Sequence, residues 1–275
     1  MAAPLFIFAA TVCRFVADKH FDPEERLQVF LTNSTGSKMD DTYRPVLNQL
    51  LVKDDGDRNE LIGNFRKIIG VIILLADPLS LSSLAVLLLG TPEHDSIRHV
   101  ERQISIHLDL FHSVLNIPSD PKLPIRTLHL SFHDYLVDER TKCRKATSQF
   151  WIDKKERHDL IACQCLTVMG RYLEKDICKL RSHGTSRTEI DPNSIARFLP
   201  PVLQYACRYW VYHLTQSSAP SKSLDKVLPF LKEHFLHWLE SMSILGIIPE
   251  AIVAVNSLLQ LTNVGIKTSL WRLHD

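Results

Sequence analysis

A nucleotide-hydrolysing loop needs glycines that bring backbone N–H groups up to the phosphates, and a lysine followed by Ser or Thr to reach the terminal phosphate and magnesium. The nearest string in this chain, Gly36-Ser37-Lys38, lacks the first glycine at the right distance and the hydroxyl after the lysine, so it reads as a surface loop. A Gly-x-Ser-x-Gly nucleophile elbow is also absent from the sequence. Cys163 and Cys165 are two apart, which on a helix turns the thiols to nearly opposite sides and cannot make a metal clamp. His234 and His237, three apart, could share a metal, but no third ligand stands at suitable spacing, and helix packing accounts for them. Glu93, His94, Asp95 and His99 read as a solvated turn and helix face. No catalytic residue and no metal site are expected.

The elements that would position any chemistry are helical. The chain has 275 residues, of which 45% are hydrophobic and only nine are glycine, enough to bury one to three packed units. Thirty-two basic against thirty-one acidic residues leave a formal charge of +1, so no whole-chain field gathers nucleic acid or anionic lipid. Six cysteines without repeated spacing point to a reducing, cytoplasmic setting. The apolar stretch Ile68 to Leu89 is long enough to raise the membrane question, but Asp77 and Pro78 break it into two buried helices.

The breaks predicted from composition fall at Asn33 to Asp40, Lys53 to Asn59, Pro118 to Pro124, Ser182 to Asn193 and Thr215 to Ser223. From Leu166 through Met169, Leu173, Ile177 and Leu180 the apolar steps are 3, 4, 4 and 3, predicting an amphipathic helix stopped near Gly184. From Leu228 through Leu231, Phe235, Trp238, Met242 and Leu245 the steps predict a second helix ending at Gly246. Pro201 can open a helix between them, apolar on nearly all faces. Short helices are expected over Ser80 to Leu89, stopped by Gly90, and over Ser96 to about Phe111. The departure from helix is His112 to Ser131, where Val114, Leu115 and Ile117 meet a Pro-rich connection and then Ile125, Thr127 and Leu128: a small β-hairpin. Helix, helix, helix, hairpin is the layout of a winged helix.

The string Ile125-Arg-Thr-Leu-His-Leu-Ser-Phe-His-Asp-Tyr-Leu136 resembles the winged-helix signature of NACHT proteins: a strand, then His, apolar, Ser, Phe, polar, acidic, aromatic, Leu. Ile69-Gly-Val-Ile-Ile-Leu-Leu-Ala-Asp-Pro-Leu-Ser80 and His112-Ser-Val-Leu115 are similar to the same region of fungal proteins of the STAND class, including those linked to heterokaryon incompatibility. Tyr205-Ala-Cys-Arg-Tyr-Trp210 and the stretch Phe230 to Glu240 resemble their second helical domain. The likeness covers nearly the whole chain.

The resemblance implies an all-α protein with one hairpin: a helical remnant over 1–55, a winged helix over 60–140 and a second helical domain over 148–275. It implies a non-catalytic regulatory module of a NACHT-type signal-transduction NTPase, one that controls a nucleotide-dependent closed/open switch in fungal vegetative incompatibility and innate immunity. In the family the winged-helix histidine, here His129, donates to the phosphate of bound ADP; the alternative is that His129 bonds only to backbone in its own domain. Pro4 stands where the family has a Gly-Leu-Pro-Leu string whose proline packs on adenine, with Ala2 and Ala3 in place of the Gly and Leu. ADP or ATP is thus implied only for an intact relative. The Walker A and B segments are expected upstream of Met1, so the chain reads as a fragment whose partners are a NACHT nucleotide-binding core and WD-type repeats, in cis or in trans, with homo-oligomers in the intact family.

The reading from another class is a winged-helix DNA-binding protein. Its candidate helix, Ser96 to Phe111, carries Arg98 and Arg102 but also Glu101 and Asp109, with Asp95 just ahead, and lacks the basic surplus that phosphate contacts demand. No nucleic acid and no membrane are therefore expected as partners.

Overall fold

A computed structural model describes residues 3–18, 22–32, 37–51, 55–90, 94–180, 184–218 and 224–271. In chain order its helices are α1 (Ala3–Val16), α2 (Pro23–Thr32), α3 (Lys38–Asn48), α4 (Asp55–Leu74), α5 (Leu81–Leu89), α6 (His94–Leu108), α7 (Leu130–Val137), α8 (Glu139–Cys143), α9 (Lys154–Tyr172), α10 (Pro192–Phe198), α11 (Pro201–Gln216), α12 (Leu224–Leu245) and α13 (Ile248–Trp271). Two antiparallel strands, β1 (Leu115–Asn116) and β2 (Arg126–Thr127), pair Leu115 with Thr127 and Asn116 with Arg126. The chain is all-α with one small hairpin, as the helical apolar spacing and the cluster of prolines between 118 and 124 predict. Two compact units form: Met1–Leu81 with Arg98–Asp153, and Ser82–Ile97 with Lys154–Asp275.

In the first unit α4 buries every residue from Ile68 to Leu74. Phe65, one turn earlier, lies 5.4 Å from the ring of Phe111 and 5.9 Å from that of Phe150. The hairpin is anchored on this core by Leu115 and Ile125, both buried. Its ladder is extended by Leu128 N–H donating to the Val114 carbonyl (3.0 Å) and Ile125 N–H to that of Leu79 (2.9 Å). Pro118, Pro121 and Pro124 have no N–H to offer, which keeps the strands short. Several boundaries differ from expectation: α3 begins at Lys38, inside the break placed at Asn33 to Asp40, and α6 begins at His94, two residues before Ser96. The break placed at Lys53 to Asn59 gives way at Asp55, where α4 begins. The helix expected to run to Phe111 ends at Leu108 and tightens into a 3₁₀ turn over Asp109–Phe111.

The second unit is built on α9, α11 and α12. Helix α11 buries Val202, Leu203, Tyr205, Ala206, Cys207, Trp210, Val211, His213 and Leu214, which confirms the expectation of a helix apolar nearly all round. Trp210 and Trp238 are fully buried, edge to face at 5.9 Å, and the Trp238 indole N–H donates to the Cys207 carbonyl (2.9 Å). The helix predicted over Leu166 to Leu180 is corrected at both ends. It begins at Lys154, under a charged first turn that hides the stripe of His158, Ile161, Ala162 and Cys165. It ends at Tyr172, after which Asp176 and Lys179 adopt φ of 53° and 56°, and the Asp176 carboxylate accepts from Leu180 N–H (2.7 Å). Leu173 and Ile177 are buried from a turn, so their helical spacing is coincidental to their packing.

Gly246 closes α12 at φ 74°, as its position after Leu245 predicts. A Cβ added there would stand 2.7 Å from the Arg187 guanidinium, whose Nε donates to the Ile244 carbonyl (3.0 Å). Gly246→Ala is therefore expected to lower the stability of the second unit by about 1–2 kcal/mol, read as a shift in the denaturant midpoint. A change under about 0.5 kcal/mol, the size seen for inert surface substitutions, would show that the left-handed cap and Arg187 adapt without cost. Among the described residues no helix is long and apolar enough to cross a membrane.

Candidate functional site at His129

The motif His129-x-Ser131-Phe132-x-x-Tyr135-Leu136 sits where β2 ends and α7 begins. His129 is the N-cap of α7, with extended backbone (φ −149°, ψ 142°), and its Nδ1 accepts from Ser131 N–H at 3.0 Å. The Ser131 hydroxyl lies 2.7 Å from the same nitrogen and 2.6 Å from the Tyr43 hydroxyl. Because Nδ1 receives a backbone proton, it is the ring's acceptor, and the chain runs Tyr43 O–H to Ser131 O–H to His129 Nδ1. A neutral imidazole so held keeps its proton on Nε2. The alternative in which His129 bonds to backbone in its own domain is thus realised through Nδ1, and Nε2 is left as the donor edge.

The other motif residues hold this cap in place. Phe132 and Leu136 are buried, and Phe132 lies 5.3 Å from the Tyr43 ring. The Tyr135 hydroxyl donates to Asp40 Oδ1 (2.9 Å), while Arg144 engages Asp40 Oδ2. Burial, and next the Asp40 charge, push the Tyr135 phenol far up, so it stays a donor. Burial also raises Tyr43, against the pull of its Ser131 bond. Helix α3 is thereby locked to α7 through three hydroxyls and a carboxylate.

Above this cap lies a cleft of about 170 Å³. Helix α1 contributes Phe6, Thr11 and Arg14, the hairpin contributes Ser113 and His129, and α7 contributes Phe132. Ser113 is 4% exposed, and its hydroxyl has no hydrogen-bond partner among the described residues. A cation, an imidazole and two hydroxyls against two phenyl rings suit an anionic group joined to a flat or apolar one. The side chain of Pro4 lies outside the described residues.

The remaining sequence candidates do not join this cleft. Gly36, Glu93 and the side chains of His94 and Asp95 lie outside the described residues, and His99 bonds to Gln103 (3.0 Å). His234 is buried on Phe230, with ring centroids 5.7 Å apart, and its Nδ1 stands 3.4 Å from that of His237. Cys165 is fully buried and Cys163 half-buried, as opposite helix sides require. Among the described residues no three His, Cys, Asp or Glu side chains gather as a metal would need. Sequence reasoning missed Asp40, Tyr43, Arg14 and Ser113. The motif announces buried hydroxyls at Ser131 and Tyr135, and a search for their partners is the signal that could have found the first two.

No family model and no solved structure matches the chain. The chain is 26% identical over 271 residues to Vegetative incompatibility protein HET-E-1 of Podospora anserina; the match covers 92% of this chain and 19% of that protein. The geometry around His129 therefore belongs to a sequence related, at a distance, to about one fifth of a fungal vegetative incompatibility protein.

Proposed function

We propose that this chain is a regulatory helical module of a NACHT-type signalling ATPase and performs no hydrolysis itself. The observation that carries the reading is the cap geometry: Nδ1 of His129 is occupied by Ser131, which aims the donor edge of the ring away from its own helix. Nε2–H and Arg14 together supply two donors at one cleft for the phosphates of an ADP held mainly by a nucleotide-binding core. Exposed Leu130, beside His129, and exposed Phe6, on the cleft, give that core an apolar surface to cover.

In this reading 1–55, 60–140 and 148–275 are the three segments that follow the core, acting in the cytoplasm of a fungal cell. WD-type repeats supply the sensing surface. Exchange of ADP for ATP breaks the His129 contact and frees the segments to rotate, because only the ADP state gains from the Nε2–H donor. The two nucleotides must bind the closed state with different affinity for the switch to work.

Grafting the chain behind the NACHT core of a fungal relative tests this. His129→Ala is expected to weaken ADP retention about ten- to a hundredfold, the loss of one or two units of 1.4 kcal/mol in a hydrogen bond to a charged group. Ser131→Ala, which removes the hydroxyl but keeps the backbone N–H bond to Nδ1, is expected to weaken it less. Unchanged ADP release in His129→Ala would refute the assignment.

A further inference from the structure

Helices α9 and α12 each bring one reactive side chain to the same point of the second unit. Lys226 Nζ donates to Cys163 Sγ at 2.8 Å. Lys226 is exposed and Cys163 half-buried, so a small oxidant reaches both. The neighbouring thiols differ. Cys165 and Cys207 are fully buried, and desolvation pushes both far up, which keeps them protonated and inert. Cys13 and Cys143 are exposed and provide an internal comparison.

We propose that Cys163 and Lys226 form an oxidant-responsive covalent clamp, joined through a single oxygen as an N–O–S bridge when a peroxide is present. The steps balance with two peroxides. The Cys163 thiolate attacks one peroxide oxygen, the O–O bond breaks, and a sulfenic acid and water result. The Lys226 amine, its ammonium proton given up to solvent, takes an oxygen from a second peroxide to become a hydroxylamine and releases a second water. Condensation of the hydroxylamine oxygen onto the sulfenic sulfur forms the O–S bond and expels a third water. Four thiols of an added reductant reverse the change, giving two disulfides, one water, the amine and the thiol.

The clamp would fix α12 to α9 across 63 residues of chain and act as a disulfide does, by restricting the unfolded state. It would stiffen the second unit when peroxide rises and release it when thiols return.

Hydrogen peroxide titrated onto the purified full chain, followed by tryptic mapping, tests this. The expected product joins the peptide of residues 158–171 to that of residues 223–232, heavier than their sum by one oxygen less two hydrogens, about 14 Da. Dithiothreitol should remove it, Cys163→Ser and Lys226→Arg should abolish it, and the thermal midpoint should rise on oxidation only in the unsubstituted chain. Circular dichroism of both variants establishes that they fold. Cys163 appearing only as sulfinic or sulfonic acid, equally in the unsubstituted chain and in Lys226→Arg, would overturn the proposal, as would no joined peptide at any peroxide dose that oxidises Cys13 and Cys143.

Discussion

As the pH falls from 6.5 toward 3, the second unit is expected to lose stability by about 1.4 kcal/mol per pH unit from one side chain, His213. His213 is fully buried in α11, with Nδ1 2.7 Å from Nδ1 of His158 and Nε2 2.7 Å from the Tyr205 hydroxyl. Desolvation first, and the facing His158 second, lower its pKa from 6.5 to about 3. The imidazole is therefore neutral in the folded unit at pH values where it is charged in the unfolded chain. Between the two pKa values the unfolded state binds the extra proton, so the contribution of His213 is complete above about 6.5 and is lost as pH falls through about 3. Denaturant unfolding between pH 7.5 and 5.5, followed by tryptophan emission, reads this slope above the range in which unperturbed carboxylates titrate, below about 4.3. His213→Gln keeps a polar partner for Tyr205 and should flatten the slope. An equal slope in both proteins would show that His213 does not carry it.

Asp40→Ala is expected to cost the first unit about 2–3 kcal/mol. Asp40 is buried and holds the Tyr135 hydroxyl and the Arg144 guanidinium on its two oxygens. Its removal leaves a buried phenol without an acceptor, about 1–3 kcal/mol, and deprives Arg144 of its partner, a smaller loss because that side chain is 42% exposed. Tyr135→Phe removes only the hydroxyl and should cost about 1 kcal/mol, and the double variant should cost less than the sum. Strict additivity would mean that Asp40 and Tyr135 act separately and that α3 is not locked to α7 through them. Because Tyr43 reaches Ser131 from the same helix, Asp40→Ala should also loosen the cap that fixes His129.

The elements were legible where one signal sufficed. Apolar spacing located α12 to its final residue, and Pro201 opened α11 at the expected position. Three prolines framed the hairpin. The signal failed where a polar turn hid a helix or apolar residues were buried without one, as at both ends of α9. The site was legible only through its motif. His129, Ser131, Phe132, Tyr135 and Leu136 follow one another, but Asp40 is 95 residues from Tyr135, and in sequence it resembles any first-turn carboxylate. His158 and His213 lie 55 residues apart, one behind a charged turn and one in an aromatic helix, and no local pattern joins them. Contacts of that range are set by packing of whole helices, which a periodicity does not encode.

Titration of ADP and ATP into the purified chain by calorimetry, with His129→Ala alongside, tests the central claim most directly. If the chain regulates a nucleotide held elsewhere, both nucleotides should give no detectable heat of binding to either protein, because one cleft offering Arg14 and His129 supplies too few phosphate donors without a glycine-rich loop. Tight binding of ADP, lost in His129→Ala, would mean that the chain completes a nucleotide site by itself and would contradict the reading of a regulatory module.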